Sequence, residues 1–350
     1  MGKRRGVSAV ATAMSVAVGA GTAAVATATP AAATTGVTAS RLQGANRYAT
    51  AAAVAQASFP SGATAAIVAS GVTFPDALAG SYAAGRLRAP ALLTDPNQLS
   101  PETAAALSAL HVAGVTVVGG TAAVSDNVVA QLRSAGYTVQ RVAGADRYGT
   151  AAAVAQSFPA SFVGSYGTGG PTALIATGLA FPDALAGGPM SYDASFPILL
   201  TTTSSLPTTT QSALQSLGIK QAVVLGGSAA VSPAVIQQLR GMGITTTQIG
   251  GADRTQTATM VADIEANQFA WTMTHVNLAR GDDFADALVG GVHAGVEKEP
   301  VVLAANPDTL GSYTTSWLSS RSSTISSIHV LGGTSAVSDA TMNAAVAAAR

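Results

Sequence analysis

Phe74-Pro-Asp-Ala-Leu-Ala-Gly80 recurs unchanged from Phe181 to Gly187 and, loosened to Phe-Ala-Asp-Ala-Leu-Val-Gly, from Phe284 to Gly290. Two other motifs keep step with it. Upstream stand Ala-Asn-Arg-Tyr from Ala45, Ala-Asp-Arg-Tyr from Ala145 and Ala-Asp-Arg-Thr from Ala252; downstream stand Gly119-Gly120-Thr121, Gly226-Gly227-Ser228 and Gly332-Gly333-Thr334. The period is roughly 100 residues, the size of a whole domain rather than of a solenoid turn. The chain therefore reads as three tandem domains of one type. Triplication also bears on function: a catalytic centre is rarely needed three times in one chain, whereas weak contacts to a repeating ligand gain avidity by multiplication.

Around the first copy the pattern is that of α/β units. Ala65 to Ala69 is a short, wholly apolar run, as in a strand covered on both faces. Pro75 suits the first helical turn, where its missing N–H is not needed, and Asp76 complements the positive helix end, so a helix is predicted through Leu87. Ala91 to Thr94 gives the next strand. Ser100-Pro101-Glu102 starts a second helix, Val115 to Val118 forms a third strand, and Gly119-Gly120 turns into a helix capped by Ser125 and closed by Gly136. Tyr137 to Val142 is one more strand. The other copies repeat this order, with strands at 173–176, 198–201 and 222–225, then at 275–278, 301–304 and 328–331. Strands alternating with helices predict mostly parallel sheets covered on both sides.

The N-terminus reads as an address. Lys3, Arg4 and Arg5 precede an uncharged Ala/Val-rich stretch, and Ala26-Thr-Ala28 or Ala31-Ala-Ala33 offers a small-residue cleavage site, so residues 1–33 are expected to be a secretory signal peptide rather than a membrane anchor. Later apolar runs are broken by Gly, Pro or charge, which predicts no membrane span after signal cleavage. With 17 Lys plus Arg, three of them in that leader, against 17 Asp plus Glu, the remainder is slightly acidic and carries no nucleic-acid footprint. Cysteine is absent, which excludes disulfides and thiolate metal sites.

At each motif a structural and a ligand-binding reading stand side by side. Asp76, Asp183 and Asp286 serve as helix N-terminal carboxylates or as site residues, with their Phe neighbours in the core. Gly119-Gly120, Gly226-Gly227 and Gly332-Gly333 are tight turns or anion cradles, with no nucleotide-binding fingerprint beside them. Arg47, Arg147 and Arg254 follow Asn46, Asp146 and Asp253, which suit helix caps; each Arg can hold an anion or bridge to a neighbouring domain. Asp282-Asp283 suits a cation site or a solvated loop, and Arg280-Gly281-Asp282 matches an adhesion tripeptide only by its three letters. His111, His275, His293 and His329 show no metal-ligand spacing, no Gly-x-Ser-x-Gly elbow occurs, and neither a metal, a cofactor nor a catalytic residue is expected.

Taken together, the motif sets resemble the cell wall binding type 2 repeat family. The resemblance rests on Arg141-Val-Ala-Gly-Ala-Asp-Arg-Tyr148 with its partners from Arg41 and Gln248, the Phe-Pro-Asp-Ala-Leu-Ala segments, Pro90 to Thr94 with Pro197 to Thr201, and Gly-Gly-Thr/Ser-x-Ala-Val-Ser at 119, 226 and 332. It implies three Rossmann-like domains in a pseudo-threefold arrangement, here 34–140, 141–247 and 248–350. It also implies a secreted, non-catalytic protein of the Gram-positive cell surface that attaches to anionic secondary wall polymers, teichoic-type or polysaccharide. The ligand-binding candidates are then the three Arg, the three Asp and the three Gly-Gly turns. A peptidoglycan amidase, or a modifier of one, and a structural surface-layer subunit are the alternatives, with no catalytic domain visible beside the repeats. Repeat three departs from the pattern with Thr255, Ala285 and Val301 to Ala304, and Asn46 replaces Asp in repeat one.

The order of elements carries one more expectation. Repeats one and two are each followed by a polar strand leading into the next Arg motif, whereas the strand that corresponds to it in repeat three stands at the other end of the chain, at Gly36 to Gln43. That segment is expected to complete the third sheet and close a head-to-tail ring.

Overall fold

The computed structural model describes residues 36–180 and 182–350; the expected signal segment and Phe181 lie outside them. The first repeat runs β1 (Thr38–Leu42), α1 (Arg47–Ser58), β2 (Ala65–Ser70), α2 (Pro75–Leu87), β3 (Ala91–Thr94), α3 (Pro101–Ala109), β4 (Gly114–Val118), α4 (Asp126–Ser134). The second runs β5 (Thr138–Val142), α5 (Arg147–Gln156), β6 (Thr172–Thr177), α6 (Pro182–Leu185), α7 (Gly188–Asp193), β7 (Ile198–Thr201), α8 (Thr208–Ser216), β8 (Gln221–Leu225), α9 (Pro233–Gly241). The third runs β9 (Thr245–Ile249), α10 (Arg254–Phe269), β10 (His275–Arg280), α11 (Ala285–Glu297), β11 (Val301–Ala304), α12 (Ser312–Ser319), β12 (Ser327–Leu331), α13 (Asp339–Ala348).

These elements form three parallel four-stranded sheets, ordered β3-β2-β4-β5, β7-β6-β8-β9 and β11-β10-β12-β1. In each, the fourth strand comes from the neighbouring repeat. β5 pairs with β4 in the register Thr138↔Gly114 to Val142↔Val118, and β9 pairs with β8 as Thr245↔Gln221 to Ile249↔Leu225. β1 pairs with β12 as Thr38↔Ser327 to Leu42↔Leu331, so the N-terminal strand completes the third sheet and the ring closes. The positions 140/141 and 247/248 fall inside β5 and β9, which belong by pairing to the sheet before and by sequence to the motif after.

Alternate strand residues divide the burial. Ala66 and Val68 face an outer core peculiar to repeat one, whereas Ile67 and Ala69 face a central core to which all three repeats contribute, Leu78, Leu185 and Leu288 among them. The motif helices meet there, α2, α7 and α11 packing on one another. Small residues permit this. A Cβ on Gly290 would lie 2.0 Å from Leu331 Cδ1, and one on Gly187 2.6 Å from Leu225 Cδ1, so the last glycine of the motif lets its helix descend onto its sheet. At the next position Gly188 and Gly291 bring two helices into backbone contact, a Cβ on the first lying 3.2 Å from Cα of the second.

Several local expectations are met, with corrections. Pro75 opens α2 and Gly136 follows α4 at φ +93. Ser100 and Ser125 occupy N-cap positions, but neither hydroxyl caps: Ser100 Oγ accepts from Asp95 N at 2.9 Å, and Ser125 Oγ is buried with no hydrogen-bond partner among the described residues. In repeat two the motif helix is split into α6 and α7, because Pro189 lacks the N–H that would bridge the break and its ring opposes the carbonyl four residues back. Phe284 is core and Phe74 is half-buried.

Deleting Thr38–Gln43 removes the fourth strand of the third sheet and, with Ala39, part of its outer core. The expected result is a melting temperature lower by roughly 10 °C and a larger radius of gyration in solution scattering; an unchanged melting temperature and compactness would contradict ring closure.

Candidate functional site

The Arg motif is built at the start of α1, α5 and α10. Asn46 accepts from Tyr48 N and Ala49 N at 3.0 and 2.9 Å, Asp146 from Gly149 N at 2.8 Å, and Asp253 from Thr255 N and Gln256 N at 2.9 and 3.0 Å, so all three are helix caps. The cap fixes where the following Arg emerges. Arg47 Nη1 donates to Gly71 O at 2.6 Å, Arg254 Nη1 to Gly281 O at 2.5 Å, and Arg147 Nη1 to Gly178 O. Each of these glycines directly follows the strand that comes after the Arg's own helix, β2, β6 or β10. The three guanidinium groups are half-buried.

The motif Asp arrives from the preceding repeat. Thr150 and Arg147 stand beside Asp76, and Thr257 and Arg254 stand beside Asp183. Burial pushes both carboxyls above the usual carboxylate range; the Thr hydrogen bond and the Arg charge pull them back down. Asp286 is pushed up to about 6, by burial first and then by the charge of Asp283, against Arg47 and Arg280.

The Gly-Gly turn closes the same junction. Gly119 N donates to Val142 O, Gly226 N to Ile249 O and Gly332 N to Leu42 O, at 2.9, 2.7 and 2.8 Å. Their carbonyls accept from Arg141, Gln248 and Arg41 on the incoming strand, at 2.8, 2.9 and 3.0 Å. Both backbone groups of the first glycine are thus used by the neighbouring repeat. The second glycines, Gly120, Gly227 and Gly333, are partly exposed.

At two junctions this leaves an open cleft. One, of about 260 Å³, lies between repeats one and two and includes Asp76, Gly120, Asp146, Arg147 and Thr150; the other, of about 190 Å³, lies between repeats three and one and includes Arg47, Thr50, Asp283, Asp286 and Gly333. Equivalent residues Asp183, Gly227, Arg254 and Thr257 meet between repeats two and three. The three motif sets, far apart in sequence, therefore converge three times. Repeat three makes its junction different. Asp283 pairs with Arg47 at 3.5 Å and caps Phe284 N at 2.7 Å, while Asp282 pairs with Arg280 at 2.7 Å, so the Asp pair is an ion-paired loop. Arg47 also lies 5.7 Å over the Phe284 ring and Arg147 6.0 Å over Phe74, each across a repeat boundary.

The profile of cell wall binding domain 2 (CWB2) matches residues 41–129, 141–236 and 248–342. The chain belongs to the CWB2 family. Its three CWB2 repeats are 30% identical over 303 residues to N-acetylmuramoyl-L-alanine amidase LytC of Bacillus subtilis, covering 87% of this chain and 57% of that protein. They are 29% identical over 271 residues to the amidase enhancer of the same organism, covering 77% of this chain and 35% of the relative. The chain thus spans between a third and three-fifths of the length of these relatives. Among solved structures, Cwp6 from Clostridium difficile has the same fold, with TM-score 0.78 and 24% identity over 89% of this chain and 47% of that one. The CWB2 repeats make the chain a cell wall binding module of the cell surface. No helix among the described residues is long and apolar enough to cross a membrane.

Several CWB2 residues were not singled out from the sequence. Thr150 and Thr257, three positions after each Arg, stand beside the motif Asp, a fixed offset being their only signal, and Arg41, Arg141 and Gln248, which open the repeat motif but were given no site role, clasp the Gly-Gly turn. A third group, His293, Glu299 and His329, is gathered by the fold outside the junctions.

Two stability measurements check this geometry. An acid whose pKa is raised on folding favours the folded state most below its unfolded pKa, and that contribution is lost as pH rises through the folded value. Relative to Asp286→Asn, the unaltered chain is expected to lose on the order of 2 to 3 kcal/mol between pH 4 and about 6 in urea unfolding; parallel pH profiles would contradict it. Gly332, at φ +96, leaves a Cβ 2.2 Å from Asp286 Oδ2, whereas Gly243, at φ +76, faces open space. Gly332→Ala is expected to cost about 3 kcal/mol and Gly243→Ala about 1; equal costs would contradict the close packing of carboxylate and turn.

Proposed function

We propose that the chain is an exported, non-catalytic module that attaches non-covalently to anionic secondary polymers of the cell wall, teichoic-type or polysaccharide, at the three junctions between repeats. The repeats 34–140, 141–247 and 248–350 each contribute the Asp and Gly-Gly half of one junction and the Arg half of another. The observation that carries this reading is the threefold convergence of Arg, Asp and Gly-Gly turn, open as a cleft at two of the three junctions. Arg147 and Arg254 each spend Nη1 on a backbone carbonyl and make no other hydrogen bond among the described residues, which leaves N–H donors for a phosphate or carboxylate. Asp76 and Asp183, beside Thr150 and Thr257, and the largely buried Asp286 suit the hydroxyls of a glycan. Gly119, Gly226 and Gly332 shape the turn, and Gly120, Gly227 and Gly333 face the ligand. The basic, apolar N-terminus supports export.

Co-sedimentation of the protein with purified walls, across a salt series and before and after hydrofluoric extraction of secondary polymers, tests the proposal. Binding is expected to vanish on extraction and to weaken as salt rises. Single Arg→Gln substitutions at 47, 147 or 254 are expected to weaken it several-fold, and the triple substitution to abolish it, as avidity from three weak sites requires. Undiminished binding to extracted walls, insensitive to salt, would contradict the anionic ligand. The amidase and amidase-enhancer relatives favour a second reading, participation in peptidoglycan hydrolysis; release of soluble fragments from extracted walls would support it instead.

A further inference from the structure

Repeat three departs from its siblings in one place that the wall-binding reading does not use. Aligned on the motif Phe and the Gly-Gly turn, Asn277 stands where Ile67 and Leu174 stand, His293 where Ala83 and Met190 stand, Glu299 where Ala89 and Phe196 stand, and His329 where Thr116 and Val223 stand. Three of these four sites are apolar in both sibling repeats. In repeat three all four are polar, and three of the side chains are ionisable. His293 and Glu299 are each 5% exposed and Asn277 is fully buried, so the exchange carries a desolvation cost unless something compensates it.

The geometry points to the compensation. A ring nitrogen of His293, one of His329 and a carboxylate oxygen of Glu299 all lie within 4.8 Å of one another. His329 Nδ1 stands 3.3 Å from Glu299 Oε2, within ion-pair range of the carboxylate but without the alignment of a regular hydrogen bond. Two donors each about 2.0 to 2.1 Å from a tetrahedral metal are about 3.3 to 3.4 Å apart, so this pair already has the spacing of two ligands of one ion.

Neighbouring side chains orient the His293 ring and the Glu299 carboxylate. Ser58 Oγ donates its proton to Val54 O at 2.7 Å, so the 2.9 Å contact between Ser58 Oγ and His293 Nδ1 is a hydrogen bond donated by the ring. That tautomer leaves a lone pair on Nε2, which is buried without a partner among the described residues. Asn277 Nδ2 donates to Glu299 Oε2 at 2.9 Å and orients the carboxylate. His275 lies nearly parallel to His329, ring centroids 6.0 Å apart.

We propose that repeat three holds a divalent zinc ion on His293 Nε2, His329 Nδ1 and Glu299, with water as fourth ligand on the partly exposed side of His329. Two imidazoles, one carboxylate and no thiolate are a donor set suited to Zn²⁺. The ion ties α11 to β12 and, through Ser58, to α1 of repeat one, at the boundary where the ring closes.

Titration of the chelator-treated full chain with Zn²⁺ by calorimetry, and with Co²⁺ by visible absorption, tests the site. One ion per chain is expected, with a tetrahedral cobalt spectrum and a raised melting temperature. His293→Met and His329→Val, each introducing the residue that repeat two carries at the same place, are expected to weaken binding about 100-fold or more, and Ser58→Ala about tenfold. Glu299→Gln, nearly isosteric, gives the same reading should either His variant fail to fold. No stoichiometric uptake by the unaltered chain, or uptake unchanged in these variants, would overturn the proposal.

Discussion

The parallel pairing of a borrowed strand on the edge of each sheet is the contact on which the rest of this molecule depends. A three-stranded parallel sheet ending at β4, β8 or β12 would expose a row of unpaired backbone groups on its edge. Here the next strand in cyclic order covers that row, and it brings more than backbone. Arg41, Arg141 and Gln248 lie on the incoming strands and bind the carbonyls of the Gly-Gly turn they have just reached. The strand is followed within a few residues by the capped start of α1, α5 or α10, so pairing one strand also delivers one guanidinium to the motif Asp of the repeat before.

Sites of this kind belong to no single repeat. The carboxyls of Asp76 and Asp183 are costly to bury, and what offsets the cost, a Thr hydroxyl and an Arg charge, comes from across the boundary. Close packing around the centre keeps those boundaries fixed, since glycine at 187, 188, 290 and 291 leaves backbone against backbone or against Leu side chains.

Much of this could be read from the residues. Continuous apolar runs such as Ala173 to Ala176 announced strands covered on both faces, and the Asn/Asp before each Arg announced a cap, because both are local consequences of backbone chemistry. The unpaired strand at the N-terminus could be matched to the third sheet by counting elements. Less legible were features set by contact between distant segments. Ser100 and Ser125 sit at caps but their hydroxyls are not used as caps, a matter of rotamer and neighbours. Pro189 splits a helix that its motif predicts to be continuous. His293, Glu299 and His329 have no ligand spacing in sequence because α11, the segment before β11, and β12 bring them together only in the folded sheet.

Closure of the ring within one chain is the central claim, and the absence of cysteine makes it directly measurable. Thr38 and Ser327 are register partners on β1 and β12, so the double substitution Thr38→Cys and Ser327→Cys places two thiols at a distance that parallel neighbours can bridge. Mild oxidation is predicted to give a single intramolecular disulfide, seen as a faster-migrating monomer on a non-reducing gel, with wall binding retained. Thiols that stay reduced, or that link two chains into a dimer, would contradict an account in which each molecule completes its own third sheet.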